Sequence, residues 1–328
     1  MRSLADLPKA HLHLHIGMGM RPSTFAELGA KAGLPTELPP LEQMTLESFE
    51  SVSRTLTAIL SERDNWHRFF DELLADHSAE GVVYVEPSLP LRVYSGSWPS
   101  DEHLLAAVVE IAEEYSAQHG VGVGFMIPID RTNDSPGRAV ELAELAARNR
   151  GQGVVSLGLH GDEAGQSADI FTTAFSIARD AGLLVTPHAG EGAGAESVEV
   201  TLDCARPQRI QHGVRSIESE RTVTRLVREQ VCLDVCPTSN KVLGVTPDLT
   251  AHPLPELVRA SVPCSVNADD PLVFRTSVLQ EYAICRSVFD IDDEGLAWIA
   301  RSSITYSGAS EEIKQRGLAG VDAWLASV

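Results

Sequence analysis

Four short stretches hold the residues that could do chemistry: Ala10-His11-Leu12-His13-Leu14-His15-Ile16-Gly17, Pro187-His188-Ala189-Gly190-Glu191, Gln211-His212-Gly213 and Asn267-Ala268-Asp269-Asp270-Pro271. Alternate side chains of an extended strand share a face. That predicts His11, His13 and His15 on one side of the first stretch and Leu12, Leu14 and Ile16 on the other. In the other three stretches the His, Glu and Asp residues sit just past an apolar run. Imidazole is a common zinc ligand, and three histidines with one aspartate suit a single divalent transition metal, zinc before others. A metal lowers the pKa of a bound water to roughly 7. Glu191 could then protonate the leaving side of a substrate while His212 holds or deprotonates the attacking water. The chemistry these residues suggest is metal-assisted hydrolysis.

Such a site needs strands whose ends converge. Short apolar runs recur at 81–86, 121–127, 153–159, 183–187, 209–211, 231–235 and 262–266, and with the first stretch they make eight. Amphipathic patterns, for example at 104–117, 139–147 and 170–181, lie between most of them. Near-continuous apolar strands alternating with helices predict a parallel sheet. Eight such units predict an α/β fold of the (β/α)8 TIM-barrel class, whose active sites form at the C-terminal ends of the strands. The connection between the first two strands, about 21–80, is too long for one unit. Within it Phe49, Val52, Leu56 and Ile59, and then Trp66, Phe69, Phe70, Leu73 and Leu74, step by three and four. Two extra helices are predicted there, read as a lid over the barrel mouth. No repeat or linker interrupts the chain, so one domain over 1–328 is expected.

Bulk composition narrows the partners. With 43% hydrophobic residues in 328, a large core is available. Against 46 acidic residues stand 26 basic ones, a formal charge of -20 that argues against binding nucleic acid through its phosphates. Residues 1–8 hold no basic segment leading into an apolar run, and no stretch is apolar enough to span a bilayer, so a cytoplasmic protein without a membrane partner is expected. Cys204, Cys232, Cys236, Cys264 and Cys285 form no C-x-x-C pair, which indicates neither a zinc ribbon nor a redox dithiol.

From about Leu7 to Tyr282 the chain resembles the adenosine deaminases of the amidohydrolase superfamily. The likeness is carried by Leu7-Pro8-Lys9, the His-x-His that follows, Met20-Arg21-Pro22, Gly161-Asp162-Glu163 and His188-Ala189-Gly190-Glu191. It continues through Arg209-Ile210-Gln211-His212-Gly213, Cys236-Pro237-Thr238-Ser239-Asn240, Asp269-Asp270-Pro271-Leu272-Val273-Phe274 and Glu281-Tyr282. The resemblance implies that His13, His15, His188 and Asp269 bind one zinc ion. It implies that Glu191 protonates a purine ring at nitrogen 1 and that His212 orients the oxygen attacking carbon 6. Asp270 would contact ring nitrogen 7, and the Gly161 backbone ring nitrogen 3. Two-metal amidohydrolases use a carboxylated lysine on the fourth strand, and 153–159 contains none. His160, at the end of that strand, is therefore read as a wall of the substrate pocket. His11, deeper on the first strand, is read as hydrogen-bonded within the barrel. The deaminases that act on nucleic-acid bases carry a P-C-x-x-C zinc motif, which is absent here.

The sequence departs from the family pattern on the ribose side. The aspartate that contacts the 5′-hydroxyl is Gly17, the aspartate of the fourth strand is Gly158, and Gln211 and Ala268 replace a glycine and a threonine. Losing that carboxylate weakens selection for a free 5′-hydroxyl and removes a repulsion toward larger or anionic 5′ groups. The expected activity is deamination of a 6-aminopurine nucleoside, either adenosine or a 5′-modified adenosine such as 6-amino-6-deoxyfutalosine. Free adenine is the alternative substrate, and a catalytically inactive purine-binding barrel the alternative class.

Overall fold

The computed structural model describes residues 2–327. Eight parallel strands follow one another around a barrel: β1 (Lys9–His15), β2 (Val82–Ser88), β3 (Phe125–Asp130), β4 (Val154–His160), β5 (Leu184–Ala189), β6 (Arg209–His212), β7 (Cys232–Val235) and β8 (Cys264–Val266). A two-residue segment, Gly122–Val123, also pairs with β2 and leads into β3 across Gly124. The break has a steric cause, because a Cβ at Gly124 would lie 2.1 Å from the Tyr84 hydroxyl. The seam between β8 and β1 is bridged by Leu14 and Asp269. Across it the His15 N–H donates to the Asp269 carbonyl at 3.2 Å, and the Asp269 N–H to the His13 carbonyl at 3.1 Å.

Strands β2 to β6 run slightly further in the C-terminal direction than the apolar runs that marked them. Polar residues at their ends still pair in register, Asp130 with His160 and His188 with Gln211. Ile127, Leu157 and Val185 stand in one register row and are fully buried. The helices Asp101–His119, Pro136–Arg148 and Thr172–Asp180 surround the sheet.

Two expectations need correction. The first concerns β1, where the register against β2 slips: His11 pairs with Val85 and Leu14 with Pro87, so three steps on β1 meet two on β2. Such a bulge breaks strict alternation, and the three histidines do not share one environment. His11 Nε2 accepts the Ala268 N–H at 3.2 Å just past β8, and its Nδ1 lies 2.8 Å from His77 Nε2 of a helix, with the rings stacked. The second concerns the insertion, which contains α1 (Pro22–Lys31), α2 (Leu46–Ile59) and α3 (Arg63–Ala79). Helix α3 carries His77, packs on β2 and on Asp101–His119, and sets Phe70 edge-on to Phe125 at 6.1 Å. It is the wall helix between β1 and β2. Helix α2 packs on the 3-10 turn Ile16–Gly19 that follows β1, and α1 packs on α2.

Among the described residues no helix is long and apolar enough to cross a membrane.

Candidate active site

The strand ends bring His13, His15, His188, His212, Glu191, Asp269 and Asp270 together at one end of the barrel. His13, His15 and His188 come from strands β1 and β5, where extended backbone fixes their direction. His212 and Asp269 are turned by their backbones, with φ of 61° and 60°. Left-handed φ is costly for residues with side chains and is kept where the surrounding structure enforces it. Here Ala189 pairs with His212 and His13 bonds the Asp269 amide. His13 and His212 rings lie 4.5 Å apart, and His13 and His188 rings 4.8 Å apart.

Asp269 is the hub. Its Oδ1 lies 3.3 Å from His13 Nε2 and 3.4 Å from His15 Nε2. These separations match the edge of a tetrahedron with metal–ligand bonds near 2.1 Å, which is about 3.4 Å. His13 Nε2 is buried and has no hydrogen-bond partner, as a nitrogen waiting for a cation would be. The opposite ring nitrogens explain why. His13 Nδ1 faces the Asp234 carbonyl at 3.2 Å, and His188 Nδ1 the Leu159 carbonyl at 2.8 Å. A carbonyl only accepts, so each Nδ1 carries the proton and each Nε2 keeps its lone pair. Burial would lower the pKa of His15, but the Asp270 and Asp269 charges outweigh it and hold it up at about 9 in the metal-free protein. A metal entering there displaces that proton. His13, His15 and Asp269 offer ligand atoms within 4.8 Å of one another, as do His13, His188 and His212. His212, Cys236 and Asp269 form a third such group, so the cluster could hold a metal ion.

Glu191 lies beside this cluster, its Oε1 3.3 Å from His212 Nε2. Burial first, and the Asp269 charge second, raise its carboxyl to about 8, which favours the protonated form. Its position is set by a residue whose sequence signal lay only in a motif. Glu163 accepts backbone N–H bonds from Gly190 at 2.6 Å and from Glu191 and Ala193 at 3.0 Å. Arg131, fully buried, donates to the His188 carbonyl at 2.5 Å from the other side. Ser239 donates to Asp269 Oδ2 at 2.6 Å, and Asn240 faces His212 Nδ1 at 3.1 Å. Arg131 had no signal in the sequence beyond its place at a strand end.

On the substrate side, Asp270 is 5% exposed with Oδ1 unpartnered, and burial and Asp269 raise its carboxyl to about 8. Gly161 has φ +100°, and a Cβ there would lie 2.8 Å from Thr132 Oγ1, so only glycine fits. The His160 ring lies 5.8 Å from that of His15. At Gly17 a Cβ would lie 2.6 Å from the Tyr94 hydroxyl and 3.5 Å from Leu56 of α2. Tyr94 and Leu56 are both buried. No motif or spacing marks these two side chains as filling that space.

The family model described as adenosine deaminase matches residues 8–324. The chain belongs to the adenosine deaminase family. It is a deaminase, a hydrolase of C–N bonds that acts on substrates of the adenosine class. This deaminase is 38% identical to a Streptomyces virginiae protein named for both adenosine and adenine deamination, over 99% of the chain and 98% of that protein. It is 32% identical to the aminodeoxyfutalosine deaminase of Acidothermus cellulolyticus, over 86% and 83% of the two chains. The crystal structure of an adenine deaminase from Arthrobacter aurescens superposes with a TM-score of 0.87 at 28% identity, covering 98% of this chain and 100% of that one.

Proposed function

We propose that this deaminase holds one zinc ion through His13, His15, His188 and Asp269 and converts free adenine and water to the 6-oxopurine and ammonia. The observation that carries the substrate is the filled space at Gly17. The family's carboxylate for the 5′-hydroxyl is missing there, and the Tyr94 hydroxyl and Leu56 stand 2.6 Å and 3.5 Å from where its Cβ would be. A base needs no room on that side, whereas a ribose does.

A bound zinc ion would bring the attacking water's pKa close to neutrality. The chain's own groups do the rest. Asp270, with its free Oδ1, would meet ring nitrogen 7, and the Gly161 backbone ring nitrogen 3, fixing the ring in its plane. Glu191 would give its proton to nitrogen 1, making carbon 6 electrophilic as the water oxygen adds. His212 Nε2, 3.3 Å from the Glu191 carboxyl, would hold that oxygen on the correct face. Of the two water protons, one leaves on ammonia and the other restores Glu191.

The test is kcat/KM for adenine, adenosine, 5′-deoxyadenosine and a 5′-extended adenosine, with zinc quantified. Adenine is expected to lead by about 100-fold or more, the loss that forcing a bulky group into a filled site brings. Equal or faster turnover of a nucleoside would defeat the base assignment. A lead by the 5′-extended compound would favour the second reading, which rests on the absence of a carboxylate at Gly17. A purine-binding protein with no turnover would point to the inactive barrel.

A further inference from the structure

His13 and His188 turn their Nδ1 atoms to carbonyls, but His212 does not. It faces the Asn240 side-chain amide at 3.1 Å. The other end of that amide meets His252, Asn240 Oδ1 to His252 Nε2 at 3.2 Å. The far nitrogen of His252 accepts the backbone N–H of Leu254 at 3.1 Å. All three side chains are buried, and burial holds His252 neutral with a pKa of about 4. His252 also stacks on Phe289, with centroids 5.4 Å apart.

The backbone end fixes the direction of the whole chain. A backbone N–H can only donate, so His252 Nδ1 accepts and its proton sits on Nε2. Nε2–H then donates to Asn240 Oδ1, which turns the amide NH2 toward His212. His212 Nδ1 must accept, and its own proton sits on Nε2. That N–H points at Glu191 Oε1, 3.3 Å away, and toward Asp269 Oδ2, 3.9 Å away.

We infer that His252 and Asn240 are positioning residues that lock His212 in the Nε2–H tautomer. The lock does two things at once. It presents a hydrogen-bond donor to the oxygen that attacks the substrate. It also removes the Nε2 lone pair that would let His212, which shares a ligand cluster with His13 and His188, become a further metal ligand. The kinetic part rests on the deaminase reading above; the tautomer itself does not.

The test uses the full-length, zinc-loaded protein labelled with nitrogen-15 at histidine, the His212 signals being those lost in His212→Asn. Long-range proton–nitrogen spectra of the wild type, without substrate, are expected to show protonated Nε2 and bare Nδ1. His252→Phe keeps an aromatic ring on Phe289 but offers nothing to Asn240, and Asn240→Asp turns an acceptor toward His212. Both are expected to move the proton toward Nδ1 and to lower kcat by about 10- to 100-fold, with KM changed far less. His252→Gln retains an acceptor and a donor and is expected to restore most of both readouts. A wild-type His212 protonated at Nδ1 would overturn the inference, as would an unchanged tautomer in both variants. A correct tautomer that shifts as described in a protein without deaminase activity would uphold it and remove the function proposed above.

Discussion

Two glutamates divide one task at the residue scale. In the proposed reaction Glu191 supplies a proton, and Glu163 holds the loop that presents it, through three backbone N–H bonds. Glu191→Gln is expected to keep the metal and lose about 10²- to 10⁴-fold in kcat, because an amide cannot serve as the acid that the proposed reaction needs at nitrogen 1. Zinc content by mass spectrometry and turnover of adenine check both halves. The acid works only while protonated. Its carboxyl stands at about 8 in the metal-free protein, and a bound cation draws it lower. kcat/KM is therefore expected to fall as pH rises, with its alkaline limb at or below about pH 8; a rate that climbs through this range would contradict the assignment. Glu163→Gln places an amide NH2 against backbone donors. A charged hydrogen bond contributes about 1.5–3 kcal/mol, so a loss of about 10- to 100-fold in kcat is expected, with faster hydrogen exchange at 190–193.

At the scale of elements, the short helix Leu91–Tyr94 after β2 and helix α2 together close the side of the site beside Gly17. Tyr94→Ala and Leu56→Ala in one chain are expected to open that side and raise kcat/KM for adenosine by about tenfold or more relative to adenine. Unchanged discrimination, measured with both substrates, would mean that selection lies elsewhere. The barrel was legible in the sequence because each strand is a compact apolar run and each candidate catalytic group sits at the end of one. The slip in β1 was not legible. It depends on how β1 pairs with β2, and a pattern of alternating histidines reads the same with or without it. Periodicity likewise showed that α2 and α3 are amphipathic but not which surface each covers. His252 and Tyr94 escaped for a related reason. They act from a loop and a short helix, and only the folded path of those segments brings them to His212 and Gly17.

At the scale of the whole molecule, the barrel floor is held by charge. Arg209 at the start of β6 is fully buried, donates Nε–H to Asp234 on β7 at 2.9 Å and pairs through Nη2 with Glu86 on β2. Its Nη1 donates to the Tyr306 carbonyl at 2.7 Å, and Glu86 accepts the Gly308 N–H at 2.7 Å. One guanidinium thus links β2, β6 and β7 to the segment leading into the last helix, Glu311–Ala326. Such a cluster earns little by existing, since desolvation offsets its attraction, but breaking it strands charges in the core. Arg209→Met is expected to cost about 3–5 kcal/mol, while replacing all three members with apolar residues of similar volume is expected to be near neutral. The pH dependence separates this from simple loss of packing. Burial already holds the Glu86 carboxyl above its ordinary value, and without the opposing Arg209 charge it stands higher still, so the folded state binds more protons and stability falls as pH rises. The melting temperature of Arg209→Met, measured against wild type from about pH 5 to 8, is therefore expected to drop further at the upper end. A gap that stays constant with pH would mean that packing, not stranded charge, accounts for the loss.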